Sequence, residues 1–252
     1  MRVDALHRRI VDDVKLMHAA VAVVLPPVLP SQYLARSMSL RHFLDRINEV
    51  TAPFGVFNEL QPDMEIDPGM VVNTGLWIGE DELPENGSPA DIRVMWHVHP
   101  ATKRIRMSQA EWNRRRYYWW QMVMHEMVHR HQDVYRTKHQ DIRTFRPRST
   151  RRSVKVEQEY YGNYDEIESH AHDAAVEFYV WWQQHSLREA IHEALTYSGR
   201  IVIPTYNAYM FAFAESPKHP AVKVFRRKLK AWYDVIRKNP EIYQLLELPK
   251  LT

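Results

Sequence analysis

Gln121-Met-Val-Met-His-Glu-Met-Val-His-Arg-His-Gln132 is the stretch whose reading decides the fold. It holds His125, Glu126 and His129 in the order H-E-x-x-H. On a helix, residues four apart share a face, so both imidazoles reach one point in space and Glu126 stands beside it. Two imidazole nitrogens can hold a zinc ion that keeps one position for water, and the carboxylate beside it can take that water's proton, an arrangement suited to peptide-bond hydrolysis. A third protein ligand must come from elsewhere in the chain.

Upstream, Ser108-Gln-Ala-Glu111 reads as a capping box in which hydroxyl and carboxylate satisfy each other's backbone N–H groups. From Trp119 to Val128 the helix is apolar nearly all round, so it runs through the core. Trp119 and Trp120 are therefore core residues before they are base-stacking platforms. Downstream, Asn163-Tyr-Asp-Glu-Ile-Glu-Ser-His-Ala-His-Asp173 opens a second helix whose apolar stripe is Ile167, Ala171, Ala174, Phe178 and Trp181. At ~100° per residue, Glu166, His170 and Asp173 fall on one face beside that stripe, with Glu168 and His172 opposite. A ligand faces inward, which favours Glu166 or His170.

Working outward, Leu6, Ile10, Val14, Met17 and Val21 mark an amphipathic helix that Pro26-Pro27 ends, and Leu40, Phe43, Leu44 and Ile47 mark another placed to back a sheet. Met70–Ile78 and Ile92–Val98 read as strands, and Lys103–Met107 as a short further one. After Leu187 the pattern is helical, punctuated by Pro204, Pro217, Pro220 and Pro240. The expected class is α+β, predominantly helical, with a small sheet packed on the H-E-x-x-H helix and extra C-terminal helices. The expected organisation is N-terminal helices at 1–53, a catalytic core at 54–184 and a helical elaboration at 185–252, as one unit.

Composition sets limits on this reading. A chain of 252 residues that is 45% hydrophobic can bury a substantial core, which excludes a disordered or fibrous class. Cysteine is absent, so a metal must be held by His, Asp or Glu. The longest apolar run, Ala19–Leu25, is far short of the ~20 residues of a membrane span, and Asp4, Asp12 and Asp13 do not fit a secretory n-region. A cytoplasmic protein that is not secreted and meets no membrane is expected. Between 136 and 155 the chain carries Arg143, Arg146, Arg148, Arg151 and Arg152 among other cations, with Asp141 the one acidic residue. Such a run is a solvated loop or a contact for nucleic acid.

The pairing of His125-Glu126-x-x-His129 with Glu166-Ile-Glu-Ser169-His170 resembles the gluzincin branch of the zincin metallopeptidases. The resemblance implies that Glu166 is the third zinc ligand, that Ser169 permits close helix packing, and that His170 stands where an Asp or Asn usually orients a zinc-bound histidine. His170 departs from that pattern, so it either supports His125 or replaces Glu166 as ligand. The order helix, small sheet, active-site helix is similar to the minimal zincin core of SprT-like and ImmA/IrrE-like proteases, and Met124–Gln132 followed by Asp165–Asp173 is similar to metallopeptidases of tailed bacteriophages, the similarity covering roughly Ile92 to Ala175. For a phage protein the location is the host cytoplasm or the virion. SprT-like proteases act on DNA-bound proteins, so a peptidase and a basic nucleic-acid contact are compatible. The implied activity is hydrolysis of a protein or peptide substrate, with Zn2+ as cofactor and Glu126 as the group that activates water. Tyr164 and His99, among several tyrosines, are candidate donors to the oxyanion, and the segment near Lys103–Met107 is the candidate for pairing with an extended substrate.

Other readings compete. His97-Val-His99-Pro100 with Ser108 and Glu111 resembles the zinc motif of JAMM-type isopeptidases, with Glu in place of the usual Asp. The plainer account is a strand ending in two histidines near the cleft. A structural or virion-associated protein with an idle zincin fold, and a basic nucleic-acid-binding protein with a structural metal, are the readings from other classes.

Overall fold

The alternation in Ile92–Val98 builds the central strand of a sheet, with Ile92, Val94, Trp96 and Val98 buried and the residues between them half-buried. The computed structural model describes residues 2–28, 38–68, 71–77, 92–105, 109–136, 145–182, 185–196 and 203–245. In chain order the elements are α1 (Val3–Val28), β1 (Met38–Ser39), α2 (Leu40–Thr51), β2 (Val56–Pro62), β3 (Val71–Trp77), β4 (Ile92–Val98) and β5 (Arg104–Ile105). They are followed by α3 (Gln109–Arg136), α4 (Arg152–Tyr161), α5 (Tyr164–Trp182), α6 (Leu187–Thr196), α7 (Pro204–Ala212), α8 (Pro220–Lys238) and α9 (Glu241–Leu245). The class is α+β and predominantly helical. Among the described residues, no helix is long and apolar enough to cross a membrane. The chain divides into two compact units, one of residues 9–130 and 242–249, the other of residues 1–8, 131–241 and 250–252.

In the first unit β4 lies between β2, parallel to it, and β3, antiparallel to it. The register pairs Val56 with Ile92 and Asn58 with Val94, and sets Gly75 opposite Val94. One face thus carries Val56, Asn58, Val94, Trp96 and the bare backbone of Gly75. Helix α2 covers this face, its Phe43 meeting Trp96 edge-on with ring centroids 5.2 Å apart. Asn58 ties the layers together: its Oδ1 accepts from Trp96 Nε1 at 3.1 Å and Trp119 Nε1 at 2.9 Å, and its Nδ2 donates to Asn48 Oδ1 and Thr51 Oγ1. Trp119 and Trp120 are core residues, as their apolar setting implies. The short strands β1 and β5 pair with each other, so β5 is outside the sheet that bears α3.

In the second unit α5 packs along α8. Of the expected stripe, Ile167, Ala171, Ala174 and Phe178 are buried and Trp181 is half-buried, but the opposite face is buried too, where Glu168 and His172 are 4% and 0% exposed. Helix α8 makes this possible. Lys228 Nζ pairs with Glu168, Trp232 Nε1 donates to Glu168 Oε1 at 2.8 Å, and the Trp232 ring stands edge-on to His172 at 4.8 Å. Charge and hydrogen-bond partners offset desolvation, so polarity alone did not predict the outward face. Pro204 and Pro220 stand at the first positions of α7 and α8, where a missing N–H costs nothing. On α1 the Pro26-Pro27 pair lies within the last turn, and the helix ends at Val28.

Candidate metal centre

Each unit by itself holds one group of chemically active side chains. On α3, the four-residue spacing brings His125 Nε2 and His129 Nε2 to 3.1 Å, with the rings tilted 71° to each other. Both histidines are half-buried and flanked by the buried Met124, Met127 and Val128. Two nitrogens at ~2.0–2.1 Å from one tetrahedral zinc lie on the order of 3.3 Å apart, so this separation fits a shared ion.

Glu126 is buried against β3. A Cβ on Gly75 would stand 2.7 Å from Glu126 Oε1 and 2.7 Å from Met122 Cγ, so only glycine lets the strand pass this close to the carboxylate. Gly75 is a positioning residue that the motif reading did not single out, although a glycine inside a strand pattern is the usual mark of a close backbone approach. Arg130, which follows the second histidine of the motif, donates from Nη1 to the carbonyl of Phe54 at 3.1 Å. Its charge is thereby turned to the turn before β2.

On α5, Glu166 Oε2 lies 3.4 Å from His170 Nε2, and both side chains are largely covered. The rings of Tyr160 and Tyr161 flank His170 at 5.6 and 4.9 Å. Burial, with the charges of Glu157 and Glu166, pushes the Tyr161 hydroxyl above its usual range, which keeps it a neutral donor. Ser169 Oγ donates back to the carbonyls of Asp165 and Glu166, and Asp173 Oδ1 is 3.3 Å from His172 Nδ1. Tyr164 instead lies under Lys228, whose Nζ is 5.6 Å from the ring centroid. Tyr206 is in the core against Phe178 and Phe225.

His97 and His99 are not drawn into this chemistry. Because Val94, Trp96 and Val98 point to the covered face, alternation sends His97 to the other face of the sheet. There its Nε2 meets Thr74 Oγ1 at 2.7 Å and its Nδ1 is 3.6 Å from Asp63. His99 Nδ1 accepts from the Ala101 N–H at 3.1 Å in the turn that follows. Neither belongs to a set of three metal-ligating side chains among the described residues. Ser108 lies outside the described residues, so the capping box and the serine of the isopeptidase motif do too.

In the basic stretch, Arg143 lies outside the described residues, while Arg146, Arg148, Arg151 and Arg152 are exposed. From residue 145 onward the stretch is not a free loop. Gln158 Oε1 accepts from the N–H groups of Arg148 and Ser149, His219 Nε2 contacts the Arg146 carbonyl at 2.9 Å, and Arg152 begins α4. Arg151 lies 3.3 Å from Glu215.

No protein-family model, curated protein or solved structure matches this chain.

Proposed function

We propose that this protein is a zinc-dependent peptide hydrolase. The observation that carries the reading is the convergence of His125 and His129 at 3.1 Å beside a buried Glu126 that β3 approaches through a glycine. His125 and His129 would be two of the zinc ligands, and Glu166, the ligand that the resemblance to gluzincins implies, would be the third. Two histidines and one glutamate are a set known for catalytic zinc, and His170, 3.4 Å from Glu166, would then hold that carboxylate.

A zinc ion held there would lower the pKa of water and polarise the scissile carbonyl. Glu126 accepts the proton of the attacking water and delivers it to the leaving amine nitrogen as the C–N bond breaks. The oxygen on which negative charge develops needs a further donor, and Tyr161, kept protonated, has the chemistry for it. Among the described residues β3 pairs only with β4, and it is the strand against which Glu126 packs, so its other edge suits an extended substrate better than β5, which lies outside that sheet.

Incubating wild type and Glu126→Gln with candidate proteins tests the reading. Equal zinc in both and cleavage by wild type alone is the expected result. Zinc in both with no difference between them in cleavage or in biological effect would favour an idle fold in which the metal is structural. A second reading, contact with a polyanion, rests on the four exposed arginines of an anchored backbone. Nucleic-acid affinity should then fall steeply with salt and with replacement of Arg146, Arg148 and Arg152 by glutamine.

A further inference from the structure

A cleft of about 310 Å³ opens at the C-terminal ends of the parallel strands β2 and β4, in the first unit. Its apolar wall includes Leu40, Leu60 and Val98, and its polar side includes Arg41, His99 and Lys103. Backbone pairing fixes this juxtaposition. The ladder of β1 with β5 sets Ser39 opposite Arg104, and the Leu40 N–H donates to the Lys103 carbonyl at 3.2 Å, so Arg41 and Lys103 are brought to one mouth. On the other side, strand alternation puts Leu60 and Val98 on one face of the sheet, where Val98 is buried and Leu60 is exposed.

Among the described residues, the charges of this cleft have one sign. No carboxylate lines it, and neither Arg41 nor Lys103 makes an ion pair among the described residues. His99 adds a donor, because its Nδ1 accepts from the Ala101 N–H and its Nε2 carries the proton in the neutral ring. Lys103 and Arg41 present a flexible ammonium and a planar fork, both suited to an anionic oxygen group. The volume has room for on the order of ten water-sized groups, at the lower end of ligand sites.

We infer that this cleft binds a small amphipathic anion, one carboxylate or phosphate head on an apolar body of a few carbons. The head meets Arg41, Lys103 and His99, and the body lies on Leu40, Leu60 and Val98. This site uses none of the proposed zinc ligands and stands whether or not the protein hydrolyses peptides.

The test is titration of the full-length protein by calorimetry and amide chemical shifts. Octanoate and monooctyl phosphate share a body and differ in head, octanol has the body without the charge, and acetate has the charge without the body. At least one octyl anion should bind at submillimolar concentration, shift the amides of Arg41, His99 and Lys103, and bind at least tenfold more tightly than octanol or acetate. The preferred head identifies the ligand class. In the double variant Arg41→Gln with Lys103→Gln, both at exposed positions, the anion should lose at least tenfold in affinity with an unchanged melting temperature and zinc content. Failure of both octyl anions to bind, octanol binding as tightly as they do, or unchanged affinity in the double variant would overturn the inference.

Discussion

On α5, Glu168 and His172 face α8, where Lys228 and Trp232 answer them with a charge, an N–H and a ring edge; on α3, the side chains that face each other are two imidazoles. Both helices are buried and both carry acidic and histidine residues, so burial and polarity do not separate them. The kind of neighbour does. Opposite charges and complementary donors make the α5–α8 group a structural core, whereas two like nitrogens at ligand spacing beside a carboxylate are what the proposed zinc site rests on.

Removing one half of the structural pair should give the largest effect. Glu168→Ala leaves Lys228 without its carboxylate in a covered position and should cost about 3 to 5 kcal/mol in urea unfolding. A loss below about 1 kcal/mol would mean that the pair is not a core interaction and would erase the contrast with α3. The next test lies on the same side. His7 is buried near Trp232 and His172, and burial, then the charge of His172, lowers its pKa from 6.5 to about 4. The unfolded chain takes up a proton below 6.5 and the folded one does not until about 4, so stability is present above 6.5 and is lost as pH falls through that window. The loss should be on the order of 3 kcal/mol. Urea midpoints from pH 7 to pH 4 should show that slope in wild type and a smaller one in His7→Gln.

On the α3 side, Gly75→Ala places a methyl against Glu126 and Met122 and should cost about 2 kcal/mol by overpacking. Its signature is a loss of kcat with zinc still bound, because the carboxylate moves and the imidazoles do not. Equal activity in wild type and Gly75→Ala would show that Glu126 is not held for catalysis by β3. The smallest effect is expected from Arg130→Met, which removes one hydrogen bond to the Phe54 carbonyl and should cost about 1 kcal/mol, with metal content unchanged.

Periodicity made most of the frame legible: α1, α2, β3, β4, α3 and α5 fall where their apolar patterns place them. Strand β2 is harder to read because an inward position is Asn58 and the run Glu59–Pro62 is exposed, so its signal is its pairing with β4, a contact distant in sequence. Strands β1 and β5, two residues each, carry no pattern of their own. The residues of the H-E-x-x-H motif were legible because a helix fixes their geometry locally. The inward course of Glu168 and His172 was not, since it depends on Lys228 and Trp232, some sixty residues on. Likewise α4 lay hidden within a stretch whose arginines read as a loop.

Zinc stoichiometry across single ligand variants tests the central claim most directly. Wild type purified with excess zinc should retain one ion per chain after dialysis, His125→Ala, His129→Ala and Glu166→Ala should each lose it while keeping the wild-type circular dichroism spectrum, and Glu126→Gln should retain it. Wild type that holds no zinc, or variants at His125 and His129 that bind it as wild type does, would contradict the account.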